Sequence, residues 1–134
     1  MAGSSNVQSA PSMMTSSPSG RATALPAYIH RAEEFMRVQA AWPIRMPEVA
    51  AAAGCSLRTL NAVFRDFRGQ GPQAALQAIR LDCVHAELSR GAEGESIGSV
   101  ARRYGFANAS RFHAAFQRRF SVTAREVSHR AFRR

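Results

Sequence analysis

Apolar residues recur with helical spacing along almost all of the chain after residue 22. From Leu25 to Ala41, the residues Ile29, Ala32, Phe35, Met36 and Ala40 form one stripe, and Pro43 ends the helix with Trp42 folded onto the core. Arg45 to Ala53 reads as a short helix whose first turn holds Pro47 and Glu48. Ser56 caps a helix to Arg68 that turns Leu57, Leu60, Val63, Phe64 and Phe67 inward. After the break at Gly69-Gln70-Gly71-Pro72, a long helix from Gln73 to Ser89 carries Leu76, Ile79, Leu81, Val84 and Leu88. Ser96 caps a short helix with Ile97 and Val100 inward. Asn108 then opens a longer one, striped by Phe112, Ala115, Phe116 and Phe120. Thr123 caps a last helix to Phe132, docked by Val127 and Phe132. Few stretches alternate with period two, so the fold class is all-α with about seven helices.

The pattern contains a duplication. Val49, Ala50 and Gly54 match Val100, Ala101 and Gly105 at an offset of 51 residues. Ser56, Leu60 and Phe64 match Asn108, Phe112 and Phe116 at an offset of 52, so the second copy has gained one residue in its turn. Each copy is a short helix, a glycine able to adopt positive φ, a cap and a longer helix. The outer face of the second helix is basic and built of small residues. That describes a DNA-binding helix-turn-helix. The domain spans 23–134, with a first unit over about 24–69, a linker helix over about 72–89 and a second unit over about 96–134. The linker helix spans roughly 25 Å, and two recognition helices on one face of B-DNA need centres about 34 Å apart. Residues 1–22, rich in Ser, Ala, Pro, Gly and Met, read as a disordered tail or linker.

Charge narrows the partner. All 18 basic residues are arginine, against 9 acids, giving a formal charge of +9. A GC-rich genome accounts for the missing lysines, but the excess of base over acid points to a polyanion, double-stranded DNA. The nine acids are scattered, without the clustered carboxylates or nucleophile–base pair of an enzyme. Cys55 and Cys83 with four dispersed histidines make neither a disulfide framework nor a metal site, and no cofactor is expected. With no signal-peptide core and no apolar run of about 20 residues, the expected location is the cytoplasm, away from membranes. A protein-interaction module with basic helix faces is the other reading; the same polar face in both copies argues against it.

Candidate DNA contacts lie on those faces. Arg58, Asn61 and Ala62 in the first unit, with Ser110, Arg111 and Ala114 in the second, are expected at base edges. Arginine matches guanine O6 and N7, asparagine matches adenine, and alanine lets the backbone approach a thymine methyl. Thr59, Arg65 and His113 are candidates for base or phosphate. Arg80, Arg102, Arg103, Arg118 and Arg119 are phosphate candidates. Phosphate contact or solvation is the alternative for each base reader.

The stretches VAAAAGCSLRTLNAVFRDFRG, IRL at Ile79 to Leu81, and SIGSVARRYGFANASRFHAAFQRRFSVT resemble the C-terminal DNA-binding domain of AraC/XylS-type transcriptional regulators. The resemblance covers Leu25 to Arg134. It implies two helix-turn-helix units on a linker helix, a monomer reading two major-groove segments, and recruitment of RNA polymerase, usually for activation. It also implies a bacterial, nucleoid-associated protein and a separate N-terminal sensor or dimerisation domain, so that the chain reads as a stand-alone small member or, the favoured reading, as a fragment of a longer regulator. At Arg80 it implies junction stabilisation or backbone contact. The chain departs from the family pattern at Ser121 (usually glycine), Ala124 (proline), Val127 and Ala75 (aromatic) and Glu87 (apolar).

Overall fold

A computed structural model describes residues 26–91 and 94–132. The tail expected over residues 1–22, Leu25 and the final Arg133 and Arg134 lie outside the described residues. Among the described residues there are seven helices and no strand: α1 (Ala27–Val38), α2 (Met46–Ala53), α3 (Leu57–Arg68), α4 (Pro72–Ser89), α5 (Ile97–Arg103), α6 (Ala109–Phe120) and α7 (Ala124–Phe132).

Local chemistry sets the helix ends. Ser56, Ser96 and Asn108 accept the N–H of Thr59, Ser99 and Arg111 respectively. At α7 the Thr123 hydroxyl accepts the Glu126 N–H while the Glu126 carboxylate accepts the Thr123 N–H, a reciprocal cap. α2 has no such residue at its start. There the Glu48 carboxylate reaches back to the Arg45 N–H at 2.8 Å. Pro72 opens α4, where its missing N–H costs nothing.

Two cores form, one per unit. α4 serves both, giving Ala75, Leu76 and Ile79 to the first and Leu81, Val84 and Leu88 to the second. The repeat is longer than the turn and recognition helix. Buried Ile29, Ala32 and Met36 of α1 have the spacing of buried Leu81, Val84 and Leu88. The second half of α4 is therefore the counterpart of α1, and each core draws on four helices, the first half of α4 completing one and α7 the other. An ion pair also closes each core, though at positions that the repeat does not match. Arg68 of α3 donates twice to Glu33 of α1, and Arg119 of α6 donates twice to Asp82 of α4. Phe64 and Phe116 sit at matching positions, fully buried. Losing either ring would cost about 3–5 kcal/mol.

Three expected inward residues face solvent instead. Trp42 is 65% exposed and Phe132 63%, while Leu57, at the first position of α3, is 39% exposed. Residues 39–42 form a turn, with Trp42 N–H on the Gln39 carbonyl, which swings the indole off the core. The departures from the family pattern are absorbed. Ala75, Ala124 and Val127 are buried as they stand. Ser121 takes the left-handed conformation, φ 61°, that glycine would adopt more easily. Glu87 is a hub. It accepts from Arg103 and from the Tyr104 hydroxyl, and Arg103 also donates to Glu95.

Candidate nucleic-acid interface

The two turns have one geometry. Gly54 (φ 82°) and Gly105 (φ 90°) both lie in the left-handed region. In the first turn Cys55 N–H donates to Ala50 and Gly54 N–H to Ala51; in the second Phe106 N–H donates to Ala101 and Gly105 N–H to Arg102. This double hydrogen bond satisfies the last carbonyls of the supporting helix and reverses the chain sharply. The residue added in the second turn falls between that motif and the Asn108 cap, leaving both intact.

α3 and α6 therefore leave their turns with matched registers. At an offset of 52, Arg58 corresponds to Ser110, Thr59 to Arg111, Asn61 to His113 and Ala62 to Ala114. Arg58, Asn61, Ala62 and Arg65 are exposed on α3, and Ser110, Arg111, His113, Ala114 and Arg118 on α6. Thr59 is half-buried and its hydroxyl accepts from the Ser56 hydroxyl at 3.1 Å, so it belongs to the cap. Gln117 is exposed at the position matching Arg65 and was absent from the expected set. Only the register of the repeat could have found it.

The arginines divide by partner. Arg58, Arg65, Arg111 and Arg118 pair with no carboxylate among the described residues. Three of the expected phosphate candidates have internal partners. Arg103 and Arg119 hold Glu87, Glu95 and Asp82, and these bonds raise both guanidinium pKa values. Arg80 donates from Nε to the Ala40 carbonyl at 3.1 Å and from Nη2 to the Trp42 carbonyl at 2.8 Å. Burial pushes its pKa down. Arg102 is exposed on α5, with Nη1 3.2 Å from where a Cβ on Gly98 would stand. Arg103 bonding holds the Glu87 carboxyl below the usual carboxylate range. Burial, then the Glu87 bond, push the Tyr104 phenol up to about 12.

Among the described residues no group of three or more His, Cys, Asp or Glu could hold a metal ion. No described helix is long and apolar enough to cross a membrane.

A family model described as a helix-turn-helix domain matches residues 49–130. The chain is 29% identical over 104 residues to a probable thc operon regulatory protein of Rhodococcus erythropolis, covering 77% of this chain and 31% of that one. It is 34% identical over 80 residues to the HTH-type transcriptional activator RhaS of Klebsiella pneumoniae, covering 60% and 28%. The chain thus spans about a third of the length of these relatives. Among solved structures, a probable AraC family transcriptional regulator from Rhodopseudomonas palustris superposes with a TM-score of 0.71 at 28% identity, over 78% of this chain and 96% of that one. An AraC-type regulator from Chromobacterium violaceum gives the same TM-score at 22% identity and shares the fold.

Proposed function

The chain belongs to the AraC/XylS family of helix-turn-helix, DNA-binding transcriptional regulators, and on that premise we propose that it inserts α3 and α6 into successive major-groove segments of a promoter site. The observation that carries this reading is the matched register of two exposed recognition faces on one α4 frame. Arg58, Asn61 and Ala62 read one segment; Ser110, Arg111 and Ala114 read the other. His113 and Gln117 extend the second face. Arg65 and Arg118 hold phosphate, while Arg80, Arg103 and Arg119 set the shape of the frame. The domain runs over 23–134, with α4 shared between the two units, its first half in the first core and its second half in the second. The RhaS relative is described as an activator, which supports activation, through RNA polymerase, as the outcome of binding. A sensor or dimerisation domain accounts for the greater length of the relatives.

Competition between a cognate and a random duplex tests base reading. Arg58→Ala and Arg111→Ala should each remove about 1–3 kcal/mol of the preference for the cognate site while random-DNA binding is kept. Equal losses on both duplexes would refute it.

A further inference from the structure

A cleft of about 340 Å³ opens where the two units meet. The first unit supplies Trp42, Ile44 and Arg45, α4 supplies Arg80, and the second unit supplies Arg102, Arg103 and Tyr104. Its volume is in the range of small-molecule sites, about 300–1,000 Å³.

The charge in this cleft is only partly compensated. Arg68 and Arg119 elsewhere each hold a carboxylate, and Arg103, which also lines the cleft, holds Glu87 and Glu95. Among the described residues no carboxylate forms an ion pair with the guanidinium of Arg45, Arg80 or Arg102, although Glu48 accepts the backbone N–H of Arg45. Arg80 is fixed by two carbonyls, which orient it without cancelling its charge. Of the four arginines that line the cleft, the three without an ion-pair partner repel one another, and a bound anion relieves that repulsion.

The rest of the wall is apolar. Trp42 exposes an indole to which no core residue lays claim, and Ile44 and Tyr104 lie beside it. An aromatic face next to guanidinium groups suits a flat apolar body with a negative end. Residues 1–25 contain no acidic residue, so the chain's own tail lacks the charge to fill the cleft. A DNA phosphate would meet the arginines and leave the indole facing water.

We propose that this cleft binds a small organic carboxylate with a flat apolar body, its plane on Trp42 and its carboxylate among Arg45, Arg80 and Arg102. Such a ligand touches the first unit, α4 and the second unit at once. Its occupancy fixes the relative position of α3 and α6. The binding site stands apart from the DNA reading, and only this last consequence rests on it.

Trp42 is the chain's one tryptophan, so its emission reports the cleft directly. The full chain is titrated without DNA using phenylacetate, its neutral isostere phenylacetamide, and acetate. Phenylacetate should change the emission saturably with a Kd of about 1 mM or tighter. Phenylacetamide should bind about tenfold more weakly, acetate should give no response, and Arg45→Gln should weaken phenylacetate about tenfold. Circular dichroism establishes that the variant is folded. Equal responses to acid and amide, or no saturation by about 20 mM, would overturn the proposal. So would duplex DNA that displaces phenylacetate and reproduces its effect on Trp42, which would assign the cleft to backbone phosphate.

Discussion

Arg80 holds the backbone of Trp42, its Nη2 donating to the Trp42 carbonyl at 2.8 Å while its Nε holds Ala40 at 3.1 Å. The same guanidinium has Nη1 3.5 Å from where a Cβ on Gly105 would stand. One side chain of α4 therefore fixes the exit of α1 and borders the turn of the second unit. Tyr104 has the companion role in apolar contact, packing against both cores.

Arg80→Met should lower stability by about 1–3 kcal/mol, because two carbonyls lose their donor. Arg80→Lys should recover only part, since an ammonium lacks the fork that spans two acceptors. Urea unfolding measures both. A native midpoint for Arg80→Met would show that these bonds add nothing.

Ser121→Gly should stabilise the chain by about 1 kcal/mol, the cost of a left-handed conformation for a residue with a Cβ. Ser121 is the one non-glycine residue with positive φ among the described residues. A higher Tm is the expected result; a lower one would mean that the serine does more than end α6.

The Glu87–Arg103–Tyr104 cluster gives stability a pH window. Glu87 titrates below its ordinary 4.5 in the folded chain, so its contribution is present above 4.5 and is lost as pH falls through the folded value. Tyr104 titrates at about 12 against an ordinary 10, so its contribution is whole below pH 10 and is lost as pH rises from 10 to 12. Cys55 and Cys83, both pushed up from 9 chiefly by burial, add to the alkaline loss. Urea midpoints across pH should show Glu87→Gln flattening the acid limb and Tyr104→Phe reducing the alkaline one. Unchanged limbs in both variants would remove the cluster from the account.

What could be read in the sequence was local or periodic. Helix stripes, the caps at Ser56, Ser96, Asn108 and Thr123, and the turn glycines each depend on residues within a turn of one another, and they stand where expected. The destinations of long side chains could not be read, because an arginine reaches across elements. Arg80, Arg103 and Arg119 read as phosphate donors by their position on the chain, with junction stabilisation the alternative that the family resemblance implies for Arg80. Their partners lie 40, 16 and 37 residues away. Glu87 looked misplaced because the residues that satisfy it, Arg103 and Tyr104, come from the next helix and its end. Trp42 looked like core by composition, and only the turn after α1 carries it outward. The match of α1 to the second half of α4 was hidden by the continuity of α4 with its own first half.

The most direct measurement is selection from random duplex DNA by the purified chain at about 150 mM salt, repeated with Arg58→Ala and Arg111→Ala. The native chain should recover two short motifs with centres about one helical turn apart. Arg58→Ala should degrade one motif and Arg111→Ala the other. A single motif, lost or kept alike in both variants, would contradict two reading units on one frame, and no enrichment would contradict sequence reading altogether.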